Sequence, residues 1–150
     1  MPRVKVKPSR QAPGRKTAPG LAGRGGLPEA ASSAERLCWR FRHVDYDGPW
    51  GFDSVSTETF CAILRKLAAF ESMTANEAFT GSPGKDYEIA EIPHKNAVPR
   101  LEAIGLGDQT RISRFELQGK WRLYGFRQGN VFHVVWWDPE HEIWPPARAR

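Results

Sequence analysis

Residues 121–137, WRLYGFRQGNVFHVVWW, leave this chain few ways to fold. Two runs of strand length flank RQGN, whose Gly and Asn tolerate the positive φ of a tight turn. The first run alternates, with Trp121 and Leu123 on one side and Lys120, Arg122 and Tyr124 on the other. The second, VFHVVWW, is almost continuously apolar, as a central strand is. Upstream, RISRFELQ sets Ile112, Phe115 and Leu117 among polar residues, and Gly119-Lys120 suits a two-residue turn with Gly first. The chain is thereby committed to an antiparallel meander, whose apolar face needs a cover.

Helical patterns supply that cover. In SVSTETFCAILRKLAAFESM, Phe60, Ile63, Leu64, Leu67 and Glu71 fall at helical spacing, and the Ser/Thr cluster at 54–57 offers an N-cap. TANE (74–77) is a capping box opening a second, short helix. TGSPGKD (80–86) reads as a loop. NAVPRLEAIGLG (96–107) reads as another helix, with Leu101 and Ile104 inward and Gly105 as its stop. Ahead of these, RLCWRFRHVDYD (36–47) alternates Trp39 and Phe41 with Arg40 and Arg42, a half-buried strand that DGPWG (47–51) breaks. DPEH (138–141) turns the chain after the meander, and EIW (142–144) suggests a short last strand. The order is an α+β domain with helices on one face of an antiparallel sheet.

The net charge of +5 points towards a nucleic-acid partner, but its distribution qualifies the point. Residues 1–34 hold seven Lys/Arg against Glu29 alone, with abundant Pro and Gly, and are expected to be a disordered basic tail; the domain proper is expected over 35–150. Outside the tail, acids slightly outnumber cations. The tail's Arg-rich, acid-poor composition imitates a transit peptide but has no secretory apolar core. No apolar run has transmembrane length, and two cysteines, Cys38 and Cys61, fit reduced thiols in a cytoplasmic protein.

The unit WRLYGFRQGNVFHVVWWDPEHEIWP, preceded by VSTETFCAILRKLAAFESMT, resembles the RelE/ParE toxin superfamily. FESMT and GNVFHVVWWDPEHE are the most specific parts, and the resemblance spans roughly residues 36–145. It implies an N-terminal strand, a helical hairpin and a three- to four-stranded antiparallel meander with helices on one face. It also implies the toxin of a type II toxin-antitoxin system, partnered by an antitoxin protein that covers the basic face. Members either cleave mRNA on the ribosome without a metal or inhibit DNA gyrase without catalysis, and some are inert binding relatives. Fold alone does not choose among them.

Metal-independent RNA cleavage needs a base for the 2′-hydroxyl, cations for the phosphorane and an acid for the leaving oxygen. The resemblance places such residues on the sheet's concave face and near the C-terminus. Here Arg122, Tyr124, Glu116 and His141 are the candidate catalytic residues, and Arg114, Lys120 and Arg127 the candidate nucleic-acid-binding ones. The competing explanation is an ordinary solvated face of an antiparallel sheet. His133 alternates with Val131 and Val135 and reads as a satisfied, partly buried histidine, as does His43. Asp138, His141 and Glu142 match no established metal-ligand spacing, so no metal or other cofactor is expected. Trp39, Trp121, Trp136 and Trp137 could stack on bases, but core packing suits them better.

Overall fold

The structure, a computed structural model, describes residues 32–147. The expectation of disorder in the tail falls almost wholly outside them. The chain divides after Ser32, and the backbone from Ser33 onward is already tied down: Asn76 N–H donates to the Ser33 carbonyl at 2.9 Å and Ala75 N–H to that of Glu35 at 3.1 Å.

The elements are β1 (Cys38–Arg40), α1 (Thr57–Phe70), α2 (Ala75–Phe79), β2 (Gly84–Glu88), α3 (Ala97–Ala103), β3 (Arg111–Glu116), β4 (Arg122–Gln128) and β5 (Val131–Asp138), with a 3-10 turn at Ile89–Glu91. The sheet order is β1-β5-β4-β3-β2. The meander β3-β4-β5 forms as the alternation requires. The turn into β4 closes through Trp121 N–H to the Gln118 carbonyl at 2.8 Å, with Gly119 at φ +52°.

Three expectations are corrected. The loop predicted at 80–86 contains the start of β2, an edge strand antiparallel to β3, so the fifth strand of the sheet comes from this segment and not from the end of the chain. The sheet is also mixed, because β1 runs parallel to β5. Finally, the residues at 142–144 form no strand.

The helices are not confined to one face. α1 and α2 place Ile63, Leu67, Ala75 and Ala78 against Phe115, Leu123, Phe132, Val134 and Trp137 on the first face. On the second, α3 sets Ala97 and Leu101 in a core with Trp50, Ile112, Tyr124, Val135 and Trp136. Both faces being covered accounts for the continuous apolar run of β5. It also corrects the single stripe expected on α1, since Phe60 and Leu64 stay well exposed while Ile63 and Leu67 are buried.

Local chemistry explains the helix ends. Ser56 Oγ accepts from Thr59 N–H at 3.1 Å, capping α1. Both halves of the α2 capping box form, Glu77 N–H to Thr74 Oγ1 at 3.1 Å and Thr74 N–H to Glu77 Oε1 at 2.9 Å. α3 is shorter than the predicted 96–107, though Gly105 does stop it, at φ +86°.

One irregularity positions the site. Tyr124 pairs with Trp136, but Gly125 pairs with Val134, so Val135 is an extra residue in β5. Val135 and Trp136 consequently enter the same core, and every later residue changes face. Gly125 accommodates the bulge: a Cβ there would sit 2.1 Å from the His133 carbonyl oxygen.

Candidate active site

Strand pairing assembles the second face in two rows. Arg114 on β3 lies opposite Tyr124 on β4, which lies opposite Trp136 on β5; Glu116 lies opposite Arg122, which lies opposite Asp138. Arg114, Glu116, Arg122 and Tyr124 are therefore neighbours, as their alternation in sequence suggested.

They are not a solvated face. Arg114 is 7% exposed, Arg122 9% and Tyr124 0%. Arg114 Nη2 donates to Glu116 Oε2 at 3.0 Å, and its guanidinium lies 5.3 Å from the centre of the Tyr87 ring. Arg122 Nη1 donates to the carbonyls of Gly119 at 2.7 Å and Trp121 at 3.1 Å, fastening the β3–β4 turn. The remaining polar atoms are unusual. Arg114 Nε, Arg122 Nε, Tyr124 OH and His141 Nε2 are all buried and none has a partner at full hydrogen-bonding geometry, Arg114 approaching the Tyr124 hydroxyl only loosely. Folded proteins leave only a few such atoms unsatisfied, and of the six among the described residues these four share one face, with Trp39 Nε1 and His133 Nδ1 elsewhere.

His141 arrives through the turn after β5. The Asp138 carboxylate is fully buried and accepts from Glu142 N–H at 3.0 Å and Ile143 N–H at 2.9 Å. His141 sits within this turn at φ +58°, the left-handed region that a non-glycine residue adopts at a cost. Ile143 is buried in the second core and Trp144 stacks on Tyr87 with ring centres 4.1 Å apart, so the turn is anchored beyond His141 as well.

Burial dominates the protonation chemistry. It pushes the Tyr124 hydroxyl far above the usual tyrosine range, and the nearby Arg114 guanidinium opposes this only in part. Tyr124 is therefore a neutral hydroxyl, able to donate. Burial also holds His141 below the ordinary histidine value, reinforced by the positive fields of Arg122 and Arg114. Its imidazole is neutral near pH 7 and can accept a proton. Burial raises the Asp138 carboxyl too, against the backbone N–H groups that favour its anion. A neutral donor, a neutral acceptor and two guanidinium cations are thus held on one surface.

Two predicted binding residues lie elsewhere. Lys120 is exposed in the β3–β4 turn, 3.7 Å from Glu140. Arg127 is on the opposite face, where its Nη2 and Nε meet Asp86 at 2.8 and 3.0 Å and its guanidinium lies 4.2 Å from the Phe79 ring centre. Arg122 and His141 were placed by the sequence on an accessible surface; the structure buries the first and half-buries the second. Tyr87 and Trp144 were missed, because β2 read as a loop and no pattern links position 87 to 144. Asp138 organises the turn that carries His141, a role that no local pattern in the sequence announces. Among the described residues, no group of three or more His, Cys, Asp and Glu side chains is placed to hold a metal ion.

The tryptophan reading stands, but the histidine reading is corrected for His43, which is exposed, and holds only in part for His133. His133 is half-buried, its Nε2 3.3 Å from Gln128 Oε1, although its Nδ1 has no partner. Trp136 and Trp137 are core residues, and Trp39 and Trp121 pack against the first core. Both cysteines are half-buried free thiols. No helix among the described residues is long and apolar enough to cross a membrane. Compared with protein-family models, curated proteins and solved structures, the chain matches none.

Proposed function

We propose that this chain is a RelE-like toxin acting in the cytoplasm as a metal-independent endoribonuclease on ribosome-bound mRNA. The observation that carries this reading is the gathering of Arg114, Arg122, Tyr124 and His141 on one face with buried, unpartnered polar atoms. In this reading His141 takes the proton from a 2′-hydroxyl, whose oxygen attacks the adjacent phosphorus and forms a 2′,3′-cyclic phosphate as the P–O5′ bond breaks. The arginines stabilise the phosphorane, and Tyr124 gives its proton to the leaving 5′-oxygen, which departs as a hydroxyl. Glu116 holds Arg114 in place through their 3.0 Å contact.

A protein partner, an antitoxin in this reading, is supported by the opposite side of the molecule. Phe41, Tyr46, Phe60 and Leu64, four of the five exposed large apolar residues among those described, line one groove of about 500 Å³ beside α1. The test is expression of the full chain in bacteria. Growth arrest with mRNA cleaved at ribosomes, in the absence of added metal, supports the proposal. Intact mRNA at confirmed soluble expression overturns it.

A second reading is a non-catalytic relative that binds gyrase or another protein. The complete burial of Tyr124 favours it, since a buried hydroxyl is not open to a polymer in this conformation. Arrest with intact mRNA and inhibited DNA supercoiling would identify that alternative.

A further inference from the structure

We propose that the second face holds an enclosed site for one tetrahedral oxyanion, a phosphate group, bound by Arg114 Nε, Arg122 Nε and Tyr124 OH, with the 138–144 turn as its movable cover. This rests on the reading of these residues as a phosphate-handling set, and narrows it to a single dehydrated phosphate group reached by displacing that turn.

Charge balance supports an anion. Two buried guanidinium groups stand in adjacent rows of the sheet, and Glu116 is the acid in direct contact with either. Asp138 lies in register with Arg122, but its two oxygens are occupied by the N–H groups of Glu142 and Ile143. Among the described residues Arg114 thus has a carboxylate in direct contact, whereas the buried Arg122 guanidinium meets only carbonyl oxygens.

Donor geometry supports a tetrahedral anion over a carboxylate. A carboxylate suits the paired nitrogens of one guanidinium. Here one terminal nitrogen of each arginine is already committed, Arg114 Nη2 to Glu116 and Arg122 Nη1 to two carbonyls. What remains is one buried Nε–H from each of two residues and one buried hydroxyl, beside the second terminal nitrogen of each guanidinium, a donor set spread over two strands. A phosphate offers four oxygens to such a divided set, where a carboxylate offers two.

The turn is the natural point of admission. The sheet closes the site from beneath, whereas residues 139–144 form no regular element. The turn's attachments are side-chain and turn contacts and not ladder bonds: the Asp138 bonds, the Ile143 side chain, the Trp144–Tyr87 stack, and contacts of Glu142 with His94 at 3.6 Å and of Glu140 with Lys120 at 3.7 Å. Local openings of such segments cost less than global unfolding.

The experiment uses the full chain, with inorganic phosphate as the probe and acetate as the control. Two-dimensional NMR of arginine Nε–H groups should show two resonances moving on phosphate addition, and hydrogen exchange at residues 139–144 should slow. Acetate should do neither. Tyr124→Phe, which keeps the ring, should weaken phosphate binding about tenfold or more, the worth of a hydrogen bond to a charged ligand. Should that variant fail to fold, the wild-type arginine resonances still decide. Unmoved Nε–H signals at tens of millimolar phosphate would overturn the proposal, as would equal responses to acetate. Phosphate binding without RNA cleavage keeps this site and defeats the nuclease reading; cleavage without phosphate binding does the reverse.

Discussion

Arg100 and Asp45 are joined by two parallel hydrogen bonds, Nε to Oδ2 at 2.8 Å and Nη2 to Oδ1 at 2.6 Å, across 55 positions of sequence. Asp45 also accepts from Trp136 Nε1 at 2.8 Å. One buried carboxylate thus ties α3 and the loop after β1 to the centre of β5. Asp45→Ala leaves the buried Trp136 indole without its acceptor and Arg100 with Asp47 alone, and should lower unfolding free energy by about 1–3 kcal/mol. Urea denaturation checks it; an unchanged midpoint would remove the pair from the stabilising contacts.

The same carboxylate contributes to acid sensitivity. Burial works to raise it, but the Arg100 and Trp136 hydrogen bonds outweigh burial and hold it below the ordinary aspartate value. Asp86 behaves likewise, burial being outweighed by Arg127 and Ser113. A depressed folded pKa stabilises the protein above the unfolded value, and that stability drains away as pH falls through the folded one. Thermal midpoints should therefore decline as pH drops below about 4. Asp86→Asn should flatten that decline.

Substitutions along α1 should separate its two sides. Leu67 is buried and Leu64 is 43% exposed on the groove. Leu67→Ala should cost about 2–5 kcal/mol through the cavity it leaves. Leu64→Ala, with no enclosed cavity to create, should cost under about 1 kcal/mol. Similar losses at both would mean the groove is closed in solution.

Activity variants test the candidate chemistry. Loss of a general base should slow the reaction by roughly 10²–10⁴-fold, which is the expectation for His141→Ala in an RNA-cleavage assay. Arg122→Ala should cost about a hundredfold or more, the scale of removing a transition-state charge partner. Arg122 also fastens a turn, so its variant needs a parallel thermal melt; Arg122→Lys should restore part of the fold and little of the rate. Rates unchanged in both alanine variants would exclude these residues from the chemistry.

The pH profile has a defined sign. His141 must be neutral to act as a base, and burial with Arg122 and Arg114 lowers its pKa. Activity should rise with pH along a limb centred below about 6.5, the ordinary histidine value. Asn at position 141 should abolish that limb, whereas a limb persisting in His141→Asn would assign it to another group.

Much of the fold was legible because it depends on local rules. Gly119 and Gly129 marked the meander turns, Thr74 and Glu77 made their capping box, and Gly105 ended α3. The grouping of Arg114, Glu116, Arg122 and Tyr124 also followed, since alternation in neighbouring strands is a property of sequence once the turn between them is known. The strand β2 was hidden because GKDYE has too few apolar residues to announce itself as an edge.

The sequence by itself determined which residues of β3 and β4 share a surface; only the tertiary structure decided that this surface is buried and joined by the turn after β5. The physical reason is the bulge. Counting in twos along β5 puts Asp138 on the side of Phe132 and Val134, against α1. The extra residue at Val135 moves it across to Arg122, where its carboxylate organises the turn that carries His141. α3 and Trp50 then cover the neighbouring part of that face through the Asp45–Arg100 pair. No period in the chain encodes a bulge and a contact between residues this far apart, because both arise from the fit of β5 between two cores.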